Sequence, residues 1–72
     1  MKEIRRIKFT DKNLNDVFAL PCVKKIIKIS HQPMLVIYPH LLVGNPLFDV
    51  VTIGDELVGY DNGMWKIVKN EE

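Results

Sequence analysis

Cysteine occurs once in this chain, at Cys22. A lone cysteine cannot close a disulfide within its own chain and cannot build a cysteine-rich zinc site, so neither staple is expected here. That usage suits a reducing, cytoplasmic setting. Long hydrophobic runs are also missing. The longest, MLVIYPHLLV from Met34 to Val43, is too short to span a bilayer and contains Pro39 and His40, so no membrane partner is expected. The opening stretch MKEIRRIKF is basic but has no apolar run behind it, which argues against a signal peptide. Neither charge sign dominates. Ten Lys and Arg against nine Asp and Glu leave a formal +1, which removes any bulk electrostatic case for nucleic acid while leaving room for a local patch.

Apolar side chains are what the chain does have. They make up 47% of its 72 residues, enough for a core and too many for a disordered segment. This length gives a single domain, residues 1–72, of the marginal stability that small cores confer. No repeat, low-complexity segment or linker interrupts it.

Residues 3–9, EIRRIKF, alternate partially and read as an edge strand with a polar side. In TDKNLNDVFALP, Thr10 or Asp11 is a suitable helix cap, and Leu14, Val17 and Phe18 fall on one helical face. With Thr10 as the cap, Phe9 and Leu14 occupy the positions of a hydrophobic staple. Pro21 ends the helix. CVKKIIKI, residues 22–29, also fits a helical spacing, but its β-branched residues and the flanking Pro21 and SHQP favour strand. Strict alternation then sets Val23, Lys25, Ile27 and Ile29 on one face and Cys22, Lys24, Ile26 and Lys28 on the other. A strand from Met34 to Tyr38, or on to Val43, with Pro39 as an edge, bulge or break, then a turn at Gly44-Asn45-Pro46 and a strand over Phe48 to Ile53 follow.

Asn62-Gly63 is the preferred pair for a two-residue type I′ turn. That register sets Tyr60 opposite Trp65 and Val58 opposite Ile67, all on one apolar side. The two aromatics then form a cross-strand pair on the core, or alternatively an exposed stacking platform. No Lys or Arg shares that side, which counts against nucleic acid there.

Basic residues cluster at Arg5, Arg6 and Lys8 and again at Lys24, Lys25 and Lys28. If the two strands were neighbours, Arg6 and Lys8 would lie beside Lys24 and Lys28 as a candidate nucleic-acid patch. The alternative is a solvated face with lysines protecting an edge. His31 and His40 lack the spacing or carboxylate company of a metal site. Cys22 lacks a base, and Asp49, Asp55 and Glu56 are not paired by the sequence, so no catalytic residue, metal or cofactor is expected and the chain does not read as an enzyme. No small-molecule substrate is inferred. Gly54-Asp55 is a turn signal and not a phosphate loop.

LPCVKKI at residues 20–26 and GDELVGYDNGMWKI at residues 54–67 resemble segments of a loose group of small uncharacterised proteins of phages and bacterial mobile elements. In that group a helix runs into a Leu-Pro-x-Val segment and a late Gly-Asp hairpin follows. The resemblance covers both ends of the chain. It implies a phage-like accessory protein of the bacterial cytoplasm, with no catalytic residue to carry over.

The expected fold is α+β: one short N-terminal helix, near residues 11–20, packed on a strongly bent antiparallel sheet or small open barrel of five to six strands. Pro39, Gly44, Gly54 and Gly59 are the expected corner or bulge positions. The expected function is a non-catalytic module that binds a protein partner or itself, by an edge strand or an apolar face. A small nucleic-acid-binding accessory protein is the alternative.

Overall fold

The computed structural model describes residues 2–44 and 49–70. The expected turn over Asn45 and Pro46 and the strand start at Phe48 lie outside the described residues. The chain forms β1 (Glu3–Lys8), α1 (Leu14–Phe18), β2 (Val23–Ile29), β3 (Gln32–Ile37), a 3₁₀ turn (Pro39–Leu41), β4 (Val50–Val51), β5 (Glu56–Tyr60) and β6 (Trp65–Val68). All strand pairs are antiparallel, in two sheets ordered β1-β5-β6 and β2-β3-β4.

This corrects the α+β expectation. Of the described residues 48% are strand and only 12% helical, and the strands divide between two three-stranded sheets where one bent sheet or small open barrel was expected. The helix is short for a local reason. Asn13 stands at its N-cap but does not cap it. Its Oδ1 accepts the Thr10 N–H at 2.9 Å and its Nδ2 donates to the Lys8 carbonyl at 2.7 Å. The Thr10 hydroxyl accepts the Lys12 N–H at 3.2 Å. These side chains tie down a loop, and helical turns begin only at Leu14, where the staple with Phe9 has no place. Val17 is buried, Leu14 packs on the core, and Phe18 remains 50% exposed.

The sheets separate where the backbone cannot continue a ladder. Pro39 has no N–H and starts the 3₁₀ turn after extended Tyr38. The turn over residues 52–55 hands the chain from β4 to β5, with Gly54 at φ 101°. There the Gly54 N–H donates to the Phe9 carbonyl and the Phe9 N–H to the Asp55 carbonyl, both at 2.8 Å, which ties the end of β1 to the crossing. Beyond the 3₁₀ turn, Leu42 makes a parallel bridge to Trp65, and the Val43 N–H donates to the Trp65 carbonyl at 2.9 Å.

The inner faces of both sheets share one core. Phe9, Val17, Cys22, Leu35, Ile37, Val51 and Leu57 have no exposed surface, and Leu20, Val23, Leu42 and Trp65 join them. In β2 the register jumps between Val23, opposite Ile37, and Lys25, opposite Val36. This bulge absorbs one residue and reverses the strict alternation of faces. Val23 and Ile26 therefore both face the core side, opposite Ile37 and Leu35, while Lys25, Ile27 and Ile29 face outward. A second bulge in β1 lies between Glu3 and Arg5. The bends thus come from these two bulges and from the turns, and not from Gly59. That glycine lies within β5 beneath the Trp65 ring, where a Cβ would approach ring carbons at 3.0 Å.

Candidate functional site

The β5–β6 hairpin differs from its expected register by one residue. Gly59 pairs with Trp65, Leu57 with Ile67 and Val58 with Lys66. The Tyr60 N–H donates to the Met64 carbonyl at 2.9 Å, and the loop is Asp61-Asn62-Gly63. Only Gly63 (φ 84°) has positive φ there, so Asn-Gly ends a three-residue loop and does not form a type I′ turn. A slip of one residue exchanges faces. Trp65 faces the core, 6% exposed, while Tyr60 lies half-buried on the opposite side of the sheet, so they form no cross-strand pair. Neither a core aromatic pair nor a stacking platform is assembled from these two residues.

The six candidate basic residues belong to different sheets. Arg5, Arg6 and Lys8 lie on β1, which pairs with β5. Lys24, Lys25 and Lys28 lie on β2, which pairs with β3. Both are outside strands, but they are not paired with each other. Arg6 is engaged. Its guanidinium contacts Glu56 at 2.8 Å and Glu3 at 3.1 Å. The hydrogen bonds that Arg6 donates to both carboxylates raise its pKa further, and the bond to Glu3 holds that carboxyl below the usual carboxylate range. These groups are exposed, so they contribute little to stability. Val58 lies between Arg6 and Lys66 in register and is 1% exposed. The outer face of the β1-β5-β6 sheet therefore carries its own counter-charges.

The outer face of the β2-β3-β4 sheet is different. Lys25, Ile27 and Ile29 of β2 lie opposite Val36, Met34 and Gln32 of β3, and Val36 lies opposite Val50 of β4. Leu35, Ile37 and Val51 are fully buried, which fixes their alternating neighbours as outward. Ile29 is 57% exposed, Lys25 is exposed, and Ile27, Met34, Val36 and Val50 are partly buried. No carboxylate lies on this face among the described residues, and Lys24, Lys25 and Lys28 have no ion-pair partner among them. One apolar surface thus runs across three strands, with lysines along its β2 side. Reading β2 as strictly alternating hides this surface, because only the bulge brings Ile27 and Ile29 outward together with Met34 and Val36.

Two polar features are structural. Asp55 is 2% exposed. Its carboxylate accepts from Lys69 Nζ at 2.6 Å, the Asn70 N–H at 2.8 Å, and the N–H and hydroxyl of Thr52 at 2.9 Å each. Burial alone raises this carboxyl, but the hydrogen bonds from Lys69, Asn70 and Thr52 together outweigh it and hold the pKa low. This node joins the crossing turn to the last strand's continuation. Its sequence signal is the Thr-x-Gly-Asp turn followed, well downstream, by a Lys-Asn pair. Cys22 is buried, and burial pushes its thiol up to about 11, so it is no nucleophile at neutral pH. His31 sits in the β2–β3 turn, and His40 packs against Tyr38 with ring centroids 5.6 Å apart. Among the described residues, no group of His, Cys, Asp and Glu could hold a metal ion, and no helix is long and apolar enough to cross a membrane.

The class these features define is a small antiparallel β domain with one charge-compensated and one apolar outer face. No family model, curated protein or solved structure matches the chain.

Proposed function

We propose that this protein is a non-catalytic interaction module that binds a protein segment on the outer face of the β2-β3-β4 sheet. The observation that carries this reading is the run of Ile27, Ile29, Met34, Val36 and Val50 across three strands. Ile29 is exposed and the other four are partly buried. A contiguous apolar patch of this kind marks an interaction site more often than a scattered residue does. The resemblance at residues 20–26 and 54–67 supports an accessory role in a phage or mobile element, and the single cysteine supports a cytoplasmic one.

A random peptide library, selected on the wild-type protein and counter-selected on an Ile29→Asp, Met34→Asp variant, tests the reading. Enriched peptides that bind only the wild type support it. Peptides that bind both proteins equally, or no enrichment, refute it. The second reading is nucleic-acid binding, favoured by the lysines of β2, which have no ion-pair partner among the described residues. Its test is sedimentation with mixed single- and double-stranded nucleic acid at low salt, where a complex lost on adding salt supports it.

A further inference from the structure

We propose that the partner is an extended segment in which apolar residues alternate with carboxylates, laid along β2 so that its acids meet Lys24, Lys25 and Lys28. This rests on the interaction reading above and adds the chemistry of the occupant. Between Asp16 and Asp49 the chain contains no Asp or Glu at all, and all nine acidic residues lie outside that interval. The three lysines of β2 are exposed, and none has an ion-pair partner among the described residues. On β1, by contrast, Arg6 is compensated twice.

Placement on a sheet edge decides between occupants. β2 is the outside strand of its sheet, so its far side has no strand partner among the described residues. Lysines on such an edge repel a second copy of the same strand, because identical charges would meet across the new pair. The same lysines favour a strand that brings carboxylates. Lys25 stands on the outer face and Lys28 on the other side of the strand, so acids on either face of an added strand find a cation. A nucleic acid would satisfy the lysines but offers no apolar side chains to Ile27 and Ile29, which flank that edge on the outer face. Charge complementarity together with the apolar face therefore selects an acidic, apolar protein strand.

The test uses the whole chain and three labelled probes: a short peptide alternating valine with glutamate, its valine–lysine counterpart, and an oligothymidylate. Binding is followed by fluorescence anisotropy at low and high salt. The expected result is binding of the glutamate peptide alone. It should weaken about tenfold with Lys24→Gln, Lys25→Gln and Lys28→Gln combined, and fall with salt. The triple variant's thermal melt shows whether it remains folded, and the comparison of peptides on the wild type stands without it. Equal binding of both peptides, lost in the Ile29→Asp, Met34→Asp variant, overturns the charge inference and leaves the interaction module intact. Binding of neither peptide overturns the inference, while the library selection decides the module separately. Binding of the oligothymidylate in place of the peptides, or a dimer of the protein alone that the face variant abolishes, overturns the acidic-strand proposal.

Discussion

On the outer face of the β1-β5-β6 sheet, Arg6 is held between Glu3 and Glu56, and Val58 is buried beneath charged neighbours. On the outer face of the β2-β3-β4 sheet, Lys25 stands beside Ile27, Ile29, Met34 and Val36 with no acid on that face among the described residues. The two sheets share one core, so this difference owes nothing to the inner faces. The first surface pairs Arg6 with its own carboxylates and buries Val58 between Arg6 and Lys66. The second surface leaves its lysines without an acid among the described residues and Ile29 57% exposed, which is why the proposed interaction is placed there.

The hairpins of the two sheets differ as well. Between β2 and β3, Ser30 and His31 both have positive φ, 52° and 67°, and Ile29 pairs with Gln32. That is the geometry of a type I′ turn made by two residues that do not favour it. Between β5 and β6, Asn62-Gly63 is well suited to such a turn and forms a different loop. The reason lies beyond the turn. With Gly59 opposite Trp65, the indole reaches the core over a residue that has no side chain to obstruct it. The two-residue turn would set Tyr60 and Trp65 together on one face and move Leu57 off the core side. Burial of large apolar side chains stabilises by several kcal/mol, more than the preference for one turn type.

The largest expected effect breaks the asymmetry between the two aromatics. Trp65→Ala should cost about 4 kcal/mol in urea unfolding, whereas Tyr60→Ala should cost under about 1 kcal/mol. Similar losses from both would restore the paired-aromatic register. Next comes the Asp55 node, where Asp55→Ala should cost about 2–3 kcal/mol by leaving buried donors unmet. The stability that this carboxylate contributes is complete above its ordinary pKa of 3.8 and declines as pH falls through the lower value it has in the fold. A wild-type melting temperature that falls in acid more steeply than that of Asp55→Asn is the corresponding signature. Gly59→Ala should lose about 1–3 kcal/mol by forcing a methyl against the Trp65 ring, and an unchanged melt would mean that the ring has room to move.

Smaller effects sharpen the contrast of turns and faces. Ser30→Asn with His31→Gly should stabilise by about 1 kcal/mol, because the substituted residues adopt positive φ more readily. A loss of stability would show that the native side chains make a contribution beyond the backbone. Ile29→Asp should shift stability by no more than about 0.5 kcal/mol, as befits a side chain on the solvent side. A large loss there would place Ile29 in the fold's own core and remove the apolar face as a docking surface.

Much of the local structure was legible in the residues. β-Branched alternation at residues 22–29 reads as strand, and strand forms there. Pro39 reads as an edge, bulge or break, and of these the break is what forms: β3 ends before it and does not run on to Val43. Less legible were the features that a single residue's insertion controls. The bulge between Val23 and Lys25 decides which isoleucines face solvent, and the β5–β6 register decides the separation of Tyr60 from Trp65. Side-chain alternation has a period of two, so one extra residue inverts every assignment beyond it. The division into two sheets and the Asp55 node join residues far apart in the chain, and no local pattern records them.

Composition and periodicity alone therefore determined a chain rich in strands with no disulfide of its own, a brief helix and a lysine-bearing strand at residues 22–29. Those properties follow from residue chemistry and local spacing. The tertiary structure decided which face of that strand is wet, which aromatic is buried, and where a carboxylate can be buried among donors. Each of these depends on packing against distant residues, whose free energy exceeds the local preferences of turns and alternation.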